Sequence, residues 1–186
     1  KIIESMNLDY TKPKDLIEIP VSECFKAYPL LEELFTCVSD RLISKDKQII
    51  VFFHIYKIFG KQDSIDMKKM MPGGTFDVID KMHAFRMRNH IRLSEGASER
   101  DNWKAYVSYY SNDDAKLKVN ADTAVVCPVK SDRNNYDEGK YKNVKSLYLQ
   151  KKGFGFIAMD CLYTDAAAKH FPKYWQMVES IFRYRN

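Results

Sequence analysis

The sequence is poor in the residue patterns that build metal and redox sites. Its four cysteines form no CxxC pair, so neither a zinc knuckle nor a redox dithiol is indicated. We expect buried free thiols, and one or two disulfides are the alternative if the protein is exported. The histidines are equally scattered, without an HxH or HExxH motif, so we expect no metal site and no cofactor. The cysteines are Cys24, Cys37, Cys127 and Cys161, and the histidines are His54, His83, His90 and His170.

Glycine, proline and long apolar runs are also scarce. Seven glycines and six prolines argue against long disordered or repetitive stretches. The longest apolar run, 49–58, is interrupted by His54 and Lys57 and falls short of the ~18–20 residues that span a bilayer. We therefore expect no transmembrane segment and a soluble domain. The chain begins at Lys1 rather than Met, so we expect that a preceding segment was removed, and the domain is exported if that segment was a signal peptide and cytoplasmic otherwise.

Length and composition fit one globular domain. The chain has 186 residues, 45% of them hydrophobic and 13% aromatic, which is enough to bury a core, and we predict a single domain over 1–186. Thirty basic and 25 acidic residues leave a net charge of +5, the small remainder of two nearly balanced populations. This charge gives little support for nucleic acid as a partner.

The last forty residues carry the clearest pattern. We predict a strand over 146–150, a tight turn over 151–153, a returning strand over 154–163 and one closing amphipathic helix over 166–184. Apolar residues recur in that helix at the spacing of a single stripe, which should lie on the inner face of the hairpin. The stripe consists of Phe171, Tyr174, Trp175, Val178, Ile181 and Phe182.

The remaining patterns predict further strands and helices. Strands are expected at 49–59, 84–93, 103–110 and 123–129, and either two short strands or an extended arm within 6–19. Helices are expected from Pro29 through Leu42, over 65–71, and from the capping candidates Asn112, Asp113 and Asp114 to about 120. A polar loop is expected over 131–143. The sum is an α+β protein with helices on the faces of an antiparallel sheet.

One predicted strand has a basic outer row. Between 84 and 93 the apolar residues alternate with Arg86, Arg88, His90 and Arg92, which places those four on one face of a strand. Arginines about 6.6–7 Å apart could bind phosphates or carboxylates of an acidic partner. The alternative is a solvated face that is paired with Asp or Glu of a neighbouring strand, or a face covered by a helix.

Three segments resemble the superfamily that joins the photosystem subunit PsbP to the Ran-binding Mog proteins and to bacterial relatives. They are Lys118-Val-Asn-Ala-Asp-Thr-Ala-Val-Val-Cys-Pro128, the hairpin 147–163 with Gly153 in its turn, and Thr164-Asp165 leading into a helix that ends Val178-Glu-Ser-Ile-Phe182. The resemblance implies an α/β/α sandwich around an antiparallel sheet, PsbP/Mog-like. It also implies a non-catalytic adaptor or assembly factor that binds other proteins.

These observations support one main hypothesis and two alternatives. The main hypothesis is a non-catalytic protein-interaction or assembly module of bacterial type, with an unidentified protein partner. The first alternative is an enzyme with a Cys–His pair that is assembled only in the fold, although Cys127 and Cys161 lie in apolar strand patterns typical of buried thiols. The second is a binder of an acidic partner through the arginine row.

Overall fold

The computed structural model describes residues 2–19, 41–57, 87–88, 97–99, 101–130 and 139–186. Within these ranges a seven-stranded antiparallel sheet has the order β2-β3-β4-β8-β7-β6-β5, and β1 pairs with β9 in a separate two-stranded sheet. The strands are β1 (Leu8–Tyr10), β2 (Leu16–Glu18), β3 (Arg41–Ser44), β4 (Ile49–Lys57), β5 (Ser108–Tyr109), β6 (Thr123–Lys130), β7 (Asn143–Lys151), β8 (Gly155–Tyr163) and β9 (Phe182–Tyr184). The helices are α1 (Ile2–Ser5), α2 (Asn112–Val119), α3 (Asp165–Ala168) and α4 (Phe171–Glu179), and two 3₁₀ turns are Ala97–Glu99 and Trp103–Tyr106.

The β7–β8 hairpin forms the centre of the sheet, as the sequence predicts. Gly153 has φ +81°, a conformation that residues with a Cβ rarely adopt, and it lets the chain reverse between the strands. The amide of Lys152 donates a hydrogen bond to Asp122 Oδ2 at 2.8 Å, which ties the turn to the start of β6. The predicted strands at 49–59 and 123–129 correspond to β4 and β6, and the two short strands within 6–19 correspond to β1 and β2.

Both faces of the sheet are buried. The first face carries Val51, Leu147 and Ile157 and packs against α4, α1 and the β1–β9 ribbon. The second face carries Ile50, Leu162 and other apolar residues, and Met87, Trp103 and Tyr141 pack in the same cluster. Because alternate residues of a strand point to opposite faces, burial on both sides explains why the central strands read as almost continuous apolar runs.

Helix α2 follows its predicted bounds, but its N-cap is a different residue from those predicted. Ser111, rather than one of the three predicted capping residues, accepts a hydrogen bond from the amide of Asp114 at 3.1 Å. The helix ends at Asn120, which has φ +50° and whose amide bonds back to Ala115 and Lys116 carbonyl oxygens.

The predicted closing helix over 166–184 is wrong in its continuity and at its C-terminal end. Pro172 occupies the first turn of α4 and lacks the amide that would continue α3, so the chain forms two helices separated at Lys169 and His170. After Glu179 the chain becomes extended, and Phe182 reaches the core from β9 rather than from a helix. The stripe is still directed into the core, because Trp175, Val178, Ile181 and Phe182 are all buried.

Two other predictions are corrected and two fall outside the described residues. Leu42, predicted helical, lies in β3 because it pairs with Glu18 and Val51 across the sheet. Residues 103–106 form a 3₁₀ turn, not a strand, and Trp103 in this turn packs in the core cluster on the second face. The helix over 65–71 and most of the loop over 131–143 lie outside the described residues. The observed class is α+β, a mostly antiparallel sheet with a few helices.

Candidate functional site

The turn between β3 and β4 is held by its own side chains. Ser44 Oγ accepts hydrogen bonds from the amides of Gln48 at 2.9 Å and Ile49 at 3.0 Å, and it donates one to Asp46 Oδ1 at 2.5 Å. Lys47 adopts φ +55°, which lets the chain reverse within a few residues. The turn therefore presents Asp46 in a fixed position.

Helix α4 is joined to this turn by Tyr174. Its hydroxyl donates a hydrogen bond to Asp46 Oδ2 at 2.6 Å. Burial alone would raise the pKa of Asp46, but hydrogen bonds from Ser44, Tyr174 and the Gln48 amide together outweigh it and lower the pKa. Burial and the bond to Asp46 raise the pKa of Tyr174 to about 12. Near neutral pH the contact is therefore one between a neutral phenol and an ionised carboxylate.

An open pocket of about 250 Å³ lies where this turn meets α4. Lys45 contributes an ammonium group 3.8 Å from Asp15 Oδ1, and both of those side chains are largely exposed. Lys173, in the first turn of α4, is exposed and also lines the pocket. Asp46 already accepts three hydrogen bonds and Asp15 pairs with Lys45, so the two lysines are the charged groups that the pocket offers to an anionic partner. The pocket is lined by Asp15, Ser44, Lys45, Asp46, Lys173, Tyr174 and Met177.

The other side of α4 packs against the sheet through Trp175. Lys145 Nζ lies 4.1 Å from the centre of the Trp175 ring, and desolvation by burial lowers the pKa of Lys145. The Trp175 indole N–H donates to the Tyr110 hydroxyl at 3.4 Å, and that hydroxyl donates in turn to Glu179. Lys118 approaches Glu179 at 3.9 Å. This group of side chains fixes the orientation of α4, and with it the wall of the pocket.

The buried polar residues of the second face do not form the predicted Cys–His pair. Asp160 is fully buried and accepts a hydrogen bond from Ser146 Oγ at 2.5 Å, and Cys127 lies next in the same cross-strand row. His54 is buried on that face too, but strands β8 and β7 lie between β4 and β6, and the three inter-strand spacings add up to about 14 Å. Cys161 lies on the opposite face, and burial raises its pKa. Cys127 and Cys161 are buried and form no disulfide, as predicted, whereas Cys24 and Cys37 lie outside the described residues.

The predicted strand over 84–93 is wrong at Met87 and Arg88, the two of its positions that the structure describes. Both residues have helical backbone. Met and Arg are both good helix formers, and the apolar positions 87 and 91 also match a spacing of four. Arg88 is exposed and lies 3.9 Å from Asp101 Oδ1. Arg86, His90 and Arg92 lie outside the described residues, so binding by this segment stays a prediction.

Neither a metal cluster nor a membrane-spanning helix occurs in the part of the chain that the structure describes. No three of its His, Cys, Asp and Glu residues are grouped so that they could hold a metal ion. No helix within these ranges is long and apolar enough to cross a membrane.

Comparisons with known proteins give one structural likeness. No family model matches the sequence, and no curated protein matches it. The structure is similar to the solution structure of cyanobacterial PsbP (CyanoP) from Synechocystis sp. PCC 6803, with a TM-score of 0.48 and 12% sequence identity over 97% of this chain and 88% of that chain. Because the TM-score is below 0.5, we transfer no residue role and no partner from that protein. Membership of the PsbP/Mog-like superfamily stays a prediction.

Proposed function

We propose that this chain is a non-catalytic protein-interaction or assembly module that contacts its partner at the pocket between the β3–β4 turn and α4. The observation that carries the proposal is the construction of this pocket. Its walls are fixed by the Asp46–Tyr174 hydrogen bond and by the packing of Trp175 against the sheet. Lys45 and Lys173 are exposed on these walls. A preorganised, partly polar surface loses little conformational entropy when a partner binds.

The chemistry of the described thiols favours binding over nucleophilic catalysis. A thiolate is the reactive form of cysteine, and the pKa of Cys161 is raised because its thiol is completely buried. Cys127 is buried as well, and two strands lie between it and His54. An enzyme that uses either thiol would have to expose it first, which costs part of the core.

The finer features of the predicted fold belong to the same proposal. We take residues 1–186 as a single α/β/α domain of bacterial, PsbP/Mog-like type. Support for one domain comes from β1 and β9, which pair Leu8 with Tyr184 and so join the two ends of the chain over the first core. Aromatic contacts also join the two ends of the chain. The ring centroid of Phe182 lies 5.3 Å from that of Tyr10 and 5.0 Å from that of Phe53.

Charge reversal at one wall of the pocket tests the proposal. Tagged wild-type chain and a Lys173→Glu variant are used as baits in cells of the source organism, and the partner that co-purifies in stoichiometric amount is quantified. Lys173→Glu should fold normally, because an acidic residue in the first turn of α4 suits the helix dipole. We expect at least a tenfold lower recovery of the partner with this variant.

A matched variant controls for the change in net charge. Lys116 is exposed on α2 and does not line the pocket, so Lys116→Glu alters the charge equally and should leave recovery unchanged. Equal recovery with all three baits would show that the pocket is not the contact. Turnover of a small substrate without any stoichiometric partner would refute the whole proposal.

A further inference from the structure

Strand β2 is an edge of the sheet among the strands that the structure describes, and its register exposes hydrogen-bonding groups. The bonds from Lys45 N to Asp15 O and from Ile19 N to Arg41 O show that odd-numbered residues of this strand bond to β3. The N–H and C=O of Glu18 therefore point away from the sheet. The carbonyl of Leu16 points the same way, while its N–H is used by Pro13 O at 2.9 Å.

The side chains along this edge suit a strand with one apolar and one polar face. Ile17 is 47% exposed on the second face and stands beside Ile43, so it offers apolar surface to a neighbouring strand. Glu18 lies on the other side of β2 and is largely exposed. An added strand would place alternate residues next to these two, because side chains of neighbouring strands align on each face.

The charges around the edge favour an acidic neighbour. Residues 11–18 and 45–48, together with the first turn of α4, carry five lysines against three acidic residues. Each of the three acids is already engaged: Asp46 accepts three hydrogen bonds, Glu18 pairs with Lys12 at 3.4 Å and Asp15 pairs with Lys45 at 3.8 Å. This part of the surface keeps an excess of two positive charges. The lysines are Lys12, Lys14, Lys45, Lys47 and Lys173. A second copy of this edge would bring like charges together, which disfavours self-pairing.

We propose that the partner presents an extended, acidic segment that adds to β2 as a further antiparallel or parallel strand and places a carboxylate next to Lys45 and Lys173. This inference rests on the proposed function, since it names the kind of segment that the pocket receives. Backbone hydrogen bonds to Glu18 and Leu16 supply affinity, and the lysines select for acidic side chains.

Synthetic peptides test the inference without knowledge of the natural partner. The probe is a fluorescent eight-residue peptide of alternating Glu and Val, and its counterpart replaces each Glu with Lys. Fluorescence anisotropy with the full chain should show binding of the acidic peptide, weakening as salt rises, and at least tenfold weaker binding of the basic one. Equal binding of both peptides, or no binding of either, would overturn the inference.

A proline at the edge identifies where the peptide binds. Glu18→Pro removes an N–H that β3 does not use, and proline is tolerated on edge strands, so the sheet should persist. We expect the acidic peptide to bind about three- to tenfold more weakly, the effect of one net hydrogen bond. Glu18→Ala keeps the N–H and removes only the carboxylate, so it should bind at least as well as wild type. Unchanged binding by Glu18→Pro would refute strand addition.

The same variant separates this inference from the function on which it rests. If Glu18→Pro recovers as much of the cellular partner as wild type while Lys173→Glu loses it, the protein-contact function stands and strand addition is wrong. If no partner is retained by wild type, the function itself is wrong. A wild-type dimer in sedimentation that Glu18→Pro dissociates would show that a second copy occupies the edge, and would also overturn the proposal.

Discussion

The indole of Trp175 carries much of the attachment of α4, so its removal should be among the most costly single changes in the chain. The side chain is 8% exposed and belongs to the first core. Trp→Ala in a core costs about 3–5 kcal/mol, and the loss of the Lys145 contact at 4.1 Å adds to it. We expect Trp175→Ala to lower the free energy of unfolding by about 4 kcal/mol, a large share of the ~5–15 kcal/mol typical of a domain.

Urea unfolding followed by circular dichroism measures this loss. With a slope of about 2 kcal/mol per molar urea, a loss of about 4 kcal/mol moves the midpoint down by about 2 M. Trp175→Phe is the matched control: it keeps an aromatic ring but loses the N–H bond to Tyr110, so it should cost about 1–2 kcal/mol. An unchanged midpoint for Trp175→Ala, together with loss of partner binding, would show that the stripe is an interface and not a core.

Three further predictions concern thiols, a helix end and pH. In a variant that keeps only Cys127 and Cys161, thiol reagents at neutral pH should label neither until urea unfolds the chain, because both thiols are buried and burial raises the pKa of Cys161; fast native labelling would contradict this. Asn120→Ala should lower the free energy of unfolding in urea by about 2–3 kcal/mol, because φ +50° strains alanine and the hydrogen bonds to the C-terminal carbonyls are lost. Asn120→Gly loses the same hydrogen bonds without the strain and should lower it by about 1 kcal/mol. Equal losses for the two variants would exclude backbone strain. The lowered pKa of Asp46 contributes stability that is lost as pH falls below 3.8, and the raised pKa of Tyr174 contributes stability that is lost as pH rises from 10.0 to about 12. The unfolding midpoint of Tyr174→Phe should therefore lie below that of wild type near neutral pH and approach it at both extremes of pH. A constant difference between the two midpoints across pH would refute the Asp46–Tyr174 contact.

Local patterns were enough to predict the central hairpin. The β7–β8 turn depends on Gly153, and the flanking strands are rich in apolar residues, so the information lies within about twenty consecutive positions. Helix α2 was predicted for the same reason, since polar capping residues and its left-handed end at Asn120 are adjacent in sequence. Elements whose determinants are local can be recognised without knowledge of the rest of the fold.

The end of the chain shows where such reasoning fails. Ile181 and Phe182 continue the helical spacing of α4, yet Phe182 pairs with Tyr10 in a strand, across more than 170 residues. A pairing of that span leaves no mark in a local window. Pro172 did carry a local signal, because its missing N–H marks the first turn of a new helix. The prediction of one helix over 166–184 rests on the apolar stripe alone and does not use that signal.

The candidate site was not predicted for a related reason. Asp46 lies in a short charged turn that resembles an ordinary exposed loop, and its partner Tyr174 is 128 residues away. The nearest local signal is Ser44 two residues before Asp46, a spacing that suits a side-chain bond within a turn. The predicted strand over 84–93 fails for a different reason: its alternation is a local pattern typical of a strand, but Met87 and Arg88, the two positions described there, have helical backbone.

Photo-crosslinking from the pocket itself is the most direct test of the proposed contact. A benzoylphenylalanine is introduced as Lys173→benzoylphenylalanine in one chain and as Leu117→benzoylphenylalanine in another, since Leu117 is 75% exposed on α2 and does not line the pocket. Both chains are irradiated in cells of the source organism. We predict a single strong cross-linked protein from position 173, with acidic residues in the cross-linked segment, and none from position 117. Equal cross-linking from both positions, or none from position 173 while a partner still co-purifies, would contradict a protein contact at this pocket.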